Sequence, residues 1–358
     1  MAVINQDATL SPLALADFKP MPKLVTRATH VPRPRFPVID AHNHLSLPGF
    51  GGWDTRPVAE LLDILDQADV RVYVDLDGGW GEDILETHLD HFKAAAPERF
   101  RVFGGVDWTK WQELGNRFPD WAADRLRQQA ARGAQGLKIW KMLGLTVRDQ
   151  MGALVAVDDP RLDPIWATAG ELNLPVTIHI ADPVAFFDPV DATNERWEEL
   201  HDHADWQFPS PPFPPFLTVV NGLAAAVARH PNTIFVGAHL GCYAENLTWV
   251  GEVLDRCPNF YVDISERIAE LGRQPYSARR FFLKYADRIL FGTDRPPQEA
   301  IYPTYFRFLE TDDEYFSYGV EDVPRQGRWR VCGLYLPDDV LEKVYYKNAE
   351  RVMLGIKA

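Results

Sequence analysis

The chain has 358 residues, 46% of them hydrophobic, and 51 acidic against 37 basic residues give a formal net charge of −14. With that excess of negative charge and no basic block, nucleic acid is not an expected partner. No run approaches the roughly 20 apolar residues of a membrane helix, so no membrane partner is expected either. Residues 1–36 hold no basic segment followed by an apolar core, so no cleaved signal is expected. Prolines at 12, 20, 22, 32 and 34 make this stretch an extended arm, laid over the fold or a neighbouring subunit, or else a free tail. Eight apolar, β-branched runs follow, at 37–42, 70–76, 101–107, 135–141, 175–180, 233–239, 260–265 and 288–293. Helical spacing fills the intervals. Pro57 opens a helix from Val58 through Leu65, and others fit 82–95, 119–132, 160–172, 216–230, 244–256 and 277–286. Alternating strands and helices give a parallel sheet with covered faces. Eight such units close a (β/α)8 TIM-like barrel, which needs roughly 250 residues. Residues 37–358 are read as that one domain.

Two long loops remain, 181–215 after the fifth strand and 295–336 after the eighth. They carry Phe186, Phe187, Trp197, Trp206 and Phe208, and Tyr302, Tyr305, Phe306, Tyr315 and Trp329. Both follow strand C-termini, where long loops act as lids or pocket walls; satellite cores or a subunit interface are the alternatives. Cys242, Cys257 and Cys332 cannot pair completely and show no Cys-x-x-Cys spacing, which reads as a reduced, cytoplasmic setting.

Four strand-like runs end in metal-ligand residue types. They are Val-Ile-Asp-Ala-His42-Asn-His44, Pro-Val-Thr-Ile-His179, Ile-Phe-Val-Gly-Ala-His239 and Ile-Leu-Phe-Gly-Thr-Asp294. The C-terminal end of a strand is where a barrel enzyme places its chemistry, and imidazole and carboxylate suit zinc and its neighbours. His42 and His44 are two apart, so both rings point to one side of a strand and can reach one ion. A carboxylate at Asp294 buried without a cation is costly, which points to a metal or proton role. Lys138 and Trp140 share one face of the fourth strand, and Lys141 lies on the other unless it turns in from the loop. Lys138, Lys141 and Arg295 are cations near strand ends in an acidic chain, suited to an anionic substrate beside Trp140 or, alternatively, to structural ion pairs. Asp263 or Glu266, in Tyr-Val-Asp-Ile-Ser-Glu-Arg267, can orient a histidine. His201-Asp-His203 lacks a strand frame and reads as solvated loop, and Glu245 and Asn246 read as helix caps. A dehydrogenase is disfavoured because no Gly-x-Gly-x-x-Gly follows an early strand.

The ordered His-x-His, His, His and Asp, spanning residues 38–294, resemble the amidohydrolase superfamily. More narrowly they are similar to its amidohydrolase-related (amidohydrolase 2) branch, which includes aminocarboxymuconate-semialdehyde decarboxylase and the aromatic-acid decarboxylases. The resemblance implies a distorted barrel of the amidohydrolase type with one divalent metal at its mouth, zinc first, with manganese, iron or cobalt as alternatives. It implies His42, His44, His179 and Asp294 as ligands, and His239 with Asp294 as the proton-handling pair. Lys138 stands where two-metal relatives carry a carbamylated lysine; a substrate contact and a structural ion pair are the other readings. The expected activity is attack by metal-activated water on a small organic acid, lactone, ester or amide. Non-oxidative decarboxylation of an aromatic or muconate-type acid on the same site is the alternative. A small-molecule substrate and a homo-oligomer are expected, and the complete ligand set speaks against a non-catalytic barrel.

Overall fold

A computed structural model describes residues 13–356 apart from 47, 299, 320, 322 and 325. The first twelve residues of the expected arm, four positions of the 295–336 loop and the last two residues of the chain therefore lie outside the described residues. Eight strands follow in chain order: β1 (Val38–Asn43), β2 (Val70–Asp75), β3 (Phe100–Val102), β4 (Leu137–Ile139), β5 (Val176–Ile178), β6 (Phe235–Gly237), β7 (Phe260–Asp263) and β8 (Ile289–Leu290). Each pairs in parallel with the next within β1–β3 and within β4–β8. The two groups join into one closed ring. Gly104 bridges Leu137, and Lys138 N donates to Gly104 O at 2.8 Å. On the other side Ala41 N donates to Phe291 O at 3.0 Å. The expected (β/α)8 barrel is thus the fold.

Regular pairing is shorter than the apolar runs suggest, three residues in β5 and two in β8. The ladder ends where the chain leaves the barrel wall for the mouth. His179, His239 and Asp294 lie just past the last paired residue, where side chains are free to converge.

The outer helices are α1 (Val58–Gln67), α2 (Glu82–His88), α3 (Phe118–Arg132), α4 (Asp163–Glu171), α5 (Phe216–Arg229), α6 (Leu247–Arg256), α7 (Pro275–Lys284) and α8 (Ile301–Glu310). The first seven lie where periodicity put them. α8 falls inside the stretch read as a loop. Its Tyr302, Tyr305, Phe306 and Leu309 recur at helical spacing and are all buried. Reading these rings as loop walls hid that stripe. In the 181–215 loop, Phe186 and Phe208 are also buried. Arm residues 27–35 lie along the segment after α8. Thr29 N donates to Asp313 Oδ2 at 2.6 Å and Arg35 N to Glu310 Oε1 at 2.9 Å. No helix among the described residues is long and apolar enough to cross a membrane.

Alternation along β1 sets the site. Ile39 and Ala41 point outward into a cluster with Val352 and Met353. Asp40 and His42 therefore point into the barrel. Asp40 is fully buried and accepts from Thr293 N at 3.0 Å, Thr293 Oγ1 at 2.8 Å and Tyr302 Oη at 3.0 Å. Burial pushes its carboxyl up to about 6 against these hydrogen bonds. One side chain thus ties β1 to the segment after β8 and to α8. Asp40→Ala should orphan buried donors at about 1–3 kcal/mol each. Urea unfolding should report a total loss of about 3 kcal/mol, and a loss under about 1 kcal/mol would remove this role from Asp40.

Candidate metal centre and active site

The mouth residues stand on unusual backbone. His239 has φ +56, Glu266 φ +54 and Asp294 φ +49, left-handed conformations that cost non-glycine residues of order 1–2 kcal/mol each. Neighbouring contacts hold them there. Asp294 N donates to His42 O at 2.9 Å, and His239 N donates to Asp263 Oδ1 at 2.9 Å.

Three imidazoles have their Nδ1 tied down. His42 Nδ1 donates to Asp263 Oδ2 at 2.9 Å, His44 Nδ1 to Asp77 Oδ1 at 2.7 Å, and His239 Nδ1 to Ser265 O at 2.9 Å. These bonds fix the tautomer that leaves each Nε2 as an acceptor. All three Nε2 atoms face Asp294: His44 at 3.3 Å from Oδ1, and His239 at 3.5 Å and His42 at 3.7 Å from Oδ2. His42, His239 and Asp294 offer ligand atoms within 4.8 Å of one another. His44 closes on the other oxygen of Asp294. The His179 ring lies 4.5 Å from the His239 ring, centroid to centroid. His179 Nε2 is buried without a hydrogen-bond partner, with Asp182 Oδ1 at 3.5 Å.

This donor set fits a divalent cation on its own chemistry. Burial depresses His42 and His239 well below the usual imidazole value and holds His179 at about 4, so all three are neutral, as ligation requires. Burial also raises Asp294, a carboxyl short of a positive partner.

Four further positions were expected to meet substrate. Lys138 is 1% exposed, and its Nζ donates to His42 Nε2 at 3.1 Å, inside the cluster. Desolvation lowers it to about 8, against the raising field of Asp294 and Asp263. Trp140 lies 4.9 Å from the His44 ring, stacks on Trp80 at 3.9 Å and sits 4.6 Å from Lys138 Nζ. Gly79 allows this approach, since a Cβ there would fall 2.6 Å from Trp140 Nε1. Trp80 also lines a cleft of about 1070 Å³ together with Trp108 and Trp121. Lys141 and Arg295 spend their charges locally, on Asp182 and Glu266 respectively.

Sequence reasoning named Asp263 as a possible orienting group but gave no role to Asp77, Ser265, Asp182 or Arg267. Asp77 had a visible signal: Val-Tyr-Val-Asp75-Leu-Asp77 ends β2 with two carboxylates at strand spacing. Burial raises the Asp77 carboxyl, but His44 and the Leu45 and Ser46 N–H groups outweigh it and hold it at about 2. Asp75 backs it, accepting from Asp77 N at 3.2 Å and from His88 Nδ1 at 2.6 Å. Asn246 caps α6 as expected by accepting from Trp249 N; Glu245 instead accepts from Val184 N. His201 is exposed.

Residues 39–353 match the family model described as Amidohydrolase. No curated protein matches the chain. Solved structures share its fold at low identity. A 2,6-dihydroxybenzoate decarboxylase from Rhizobium is 16% identical with TM-score 0.55, covering 89% of this chain and 98% of its own. A dihydroxybenzoic acid decarboxylase from Polaromonas, solved with manganese and 2-nitroresorcinol, is 16% identical with TM-score 0.56, covering 90% and 98%. A 5-carboxyvanillate decarboxylase from Sphingomonas paucimobilis is 15% identical with TM-score 0.52, covering 89% and 99%.

The orienting role of Asp77 is open to direct test. Asp77→Ala should weaken metal affinity about 10- to 100-fold in chelator competition while the far-ultraviolet spectrum is kept. Unchanged affinity would show that His44 needs no such partner.

Proposed function

The chain belongs to the amidohydrolase family, and from that premise we propose that it is a metal-dependent, non-oxidative decarboxylase of a hydroxylated aromatic acid. The observation that carries this reading is a flat wall with a cation beside it at the ligand cluster. Trp140 lies between His44 and Trp80, and Lys138 Nζ sits 4.6 Å from its ring with no carboxylate in direct contact among the described residues. A planar anion matches both features. The structural neighbours named for dihydroxybenzoate and carboxyvanillate act on acids of that shape, which supports the same choice.

In this proposal His42, His44, His179 and Asp294 hold one divalent ion. Zinc is the first expectation from the donor types, and the manganese of a neighbour makes that ion an equal candidate. Such an ion supplies an electrophile for a carboxylate and an adjacent hydroxyl. Lys138 steadies the negative charge of the bound acid, and Trp140 holds its ring. When the ring–carboxylate bond breaks, its electron pair stays on the ring carbon. Asp294 or His239, having first taken a proton from solvent, delivers it to form the new carbon–hydrogen bond, and carbon dioxide leaves. Lys141 and Arg295 take a lesser part, because Asp182 and Glu266 already match their charges. Hydrolysis of an ester, lactone or amide is the second reading. It is favoured by the position of Asp294 against three imidazoles, where it can take a proton from water. A cytoplasmic homo-oligomer completes the proposal.

A panel of phenolic acids, muconate-type acids and sugar lactones decides between the two. Carbon dioxide from a phenolic acid is expected; turnover of lactones alone would replace decarboxylation with hydrolysis. In the same assay His239→Ala should lose about 100- to 10,000-fold in turnover yet keep its metal. A metal-free His239→Ala protein would make His239 a ligand.

A further inference from the structure

The segments that follow β2, β3 and β4 at the barrel mouth enclose the cleft of about 1070 Å³ that Trp80 lines. That volume is at the upper end of small-molecule sites and has room for more than one ring. Its aromatic walls are built on buried rings. Trp80, 42% exposed, stacks at 3.9 Å on buried Trp140. Trp108 and Trp121 are half-buried and pack on Phe118 at 5.8 Å and 5.9 Å. Phe118 is itself stacked at 4.4 Å on Trp111, and both are buried. Where the β2 and β3 loops meet, the backbone is glycine. A Cβ at Gly78 would fall 2.1 Å from Phe103 O, and one at Gly105 2.4 Å from Gly79 Cα. Side chains at either position would force the loops apart.

The charges of the lining are largely spent on neighbours. Glu82 pairs with Arg125 and Lys110 with Glu113, and Asp107 accepts from Thr109 N at 3.0 Å. The two remaining charges, Asp83 and Arg148, are exposed and opposite in sign. What the cleft offers a ligand is therefore three indole faces and the thioether of Met142 rather than net charge. Large apolar rings gathered in one open cavity mark a ligand surface. We propose that this cleft is a binding site for an uncharged aromatic ring system, held by the faces of Trp80, Trp108 and Trp121. Gly79 places it close to the ligand cluster: this residue lines the cleft, and a Cβ on it would fall 2.9 Å from Lys138 Cγ. A separate aromatic molecule and the remote ring of the acid proposed above present the same chemistry here. Only the second source rests on the aromatic-acid reading.

2-Naphthol is the probe, titrated by calorimetry into the metal-loaded full chain. One molecule should bind per chain, and Trp108→Ala and Trp121→Ala should each weaken it about 3- to 10-fold. Trp80→Ala, at the most exposed of the three rings, carries the test if those variants do not fold. Two arms separate the sources. With 4-phenylsalicylate saturating, continued 2-naphthol binding makes the ligand a separate molecule. Exclusion of 2-naphthol, with a 4-phenylsalicylate affinity that falls in Trp108→Ala while that of salicylate holds, makes it the remote ring of the acid. Absent 2-naphthol binding, equal affinity in the protein and its variants, tighter binding of 2-naphthalenesulfonate than of 2-naphthol, or a dimer in sedimentation that Trp80→Ala or Trp108→Ala dissociates would each overturn the proposal. 2-Naphthol binding requires no turnover. A chain that binds it and releases no carbon dioxide from the phenolic-acid panel keeps this site and loses the proposed activity; a decarboxylase that ignores 2-naphthol does the reverse.

Discussion

Three of the imidazoles at the barrel mouth can accept on Nε2 because the Nδ1 of each is held by something else. Asp263, Asp77 and the Ser265 carbonyl do that holding for His42, His44 and His239. All three histidines are essentially excluded from water. Without those partners each ring would be free to change tautomer or turn, and the Nε2 atoms would not converge on Asp294. The partners in turn depend on the barrel. Asp263 ends β7, Asp77 follows β2, and both are fully buried. The left-handed backbone at His239 and Asp294 is the strain that this convergence costs, and hydrogen bonds from their own N–H groups help offset it.

Charge is allotted unevenly across the mouth. Most cations there are matched by a carboxylate in contact: Lys141 by Asp182, Arg295 by Glu266, Arg196 by Glu199 and Glu270. Lys138 and Arg267 are not. Both are buried in a chain with a net charge of −14, and no carboxylate among the described residues contacts either. The stacked pair Trp80 and Trp140 lies beside Lys138. The proposed substrate, a flat anionic small molecule, matches that pairing of ring and ammonium.

Much of this was legible in the sequence because strand ends carry a simple signal. An apolar run finishing in His or Asp marks both the strand and the polar residue beyond it, so all eight strands and the five residues His42, His44, His179, His239 and Asp294 could be located before any coordinates. α8 was not legible, since Tyr302, Tyr305 and Phe306 look alike whether they wall a pocket or fill a core. The partners of the charged residues were hidden for a different reason. Whether Arg295 meets Glu266 or a substrate depends on contacts between β7 and β8 loops, which spacing along the chain does not encode. Asp77 was less legible because β2 ends in two carboxylates at strand spacing with no histidine beside them, and a carboxylate pair alone does not mark a metal site.

The central claim is that one divalent ion sits beside Asp294, held by His42, His44 and His179, with His239 next to it. Diffraction data collected on either side of the absorption edge of the metal found in the purified protein test it directly. The account predicts a single anomalous peak per chain, in contact with His42, His44, His179 and Asp294. A peak elsewhere, a second peak bridged by a modified Lys138, or a metal-free site in a fully active protein would contradict it.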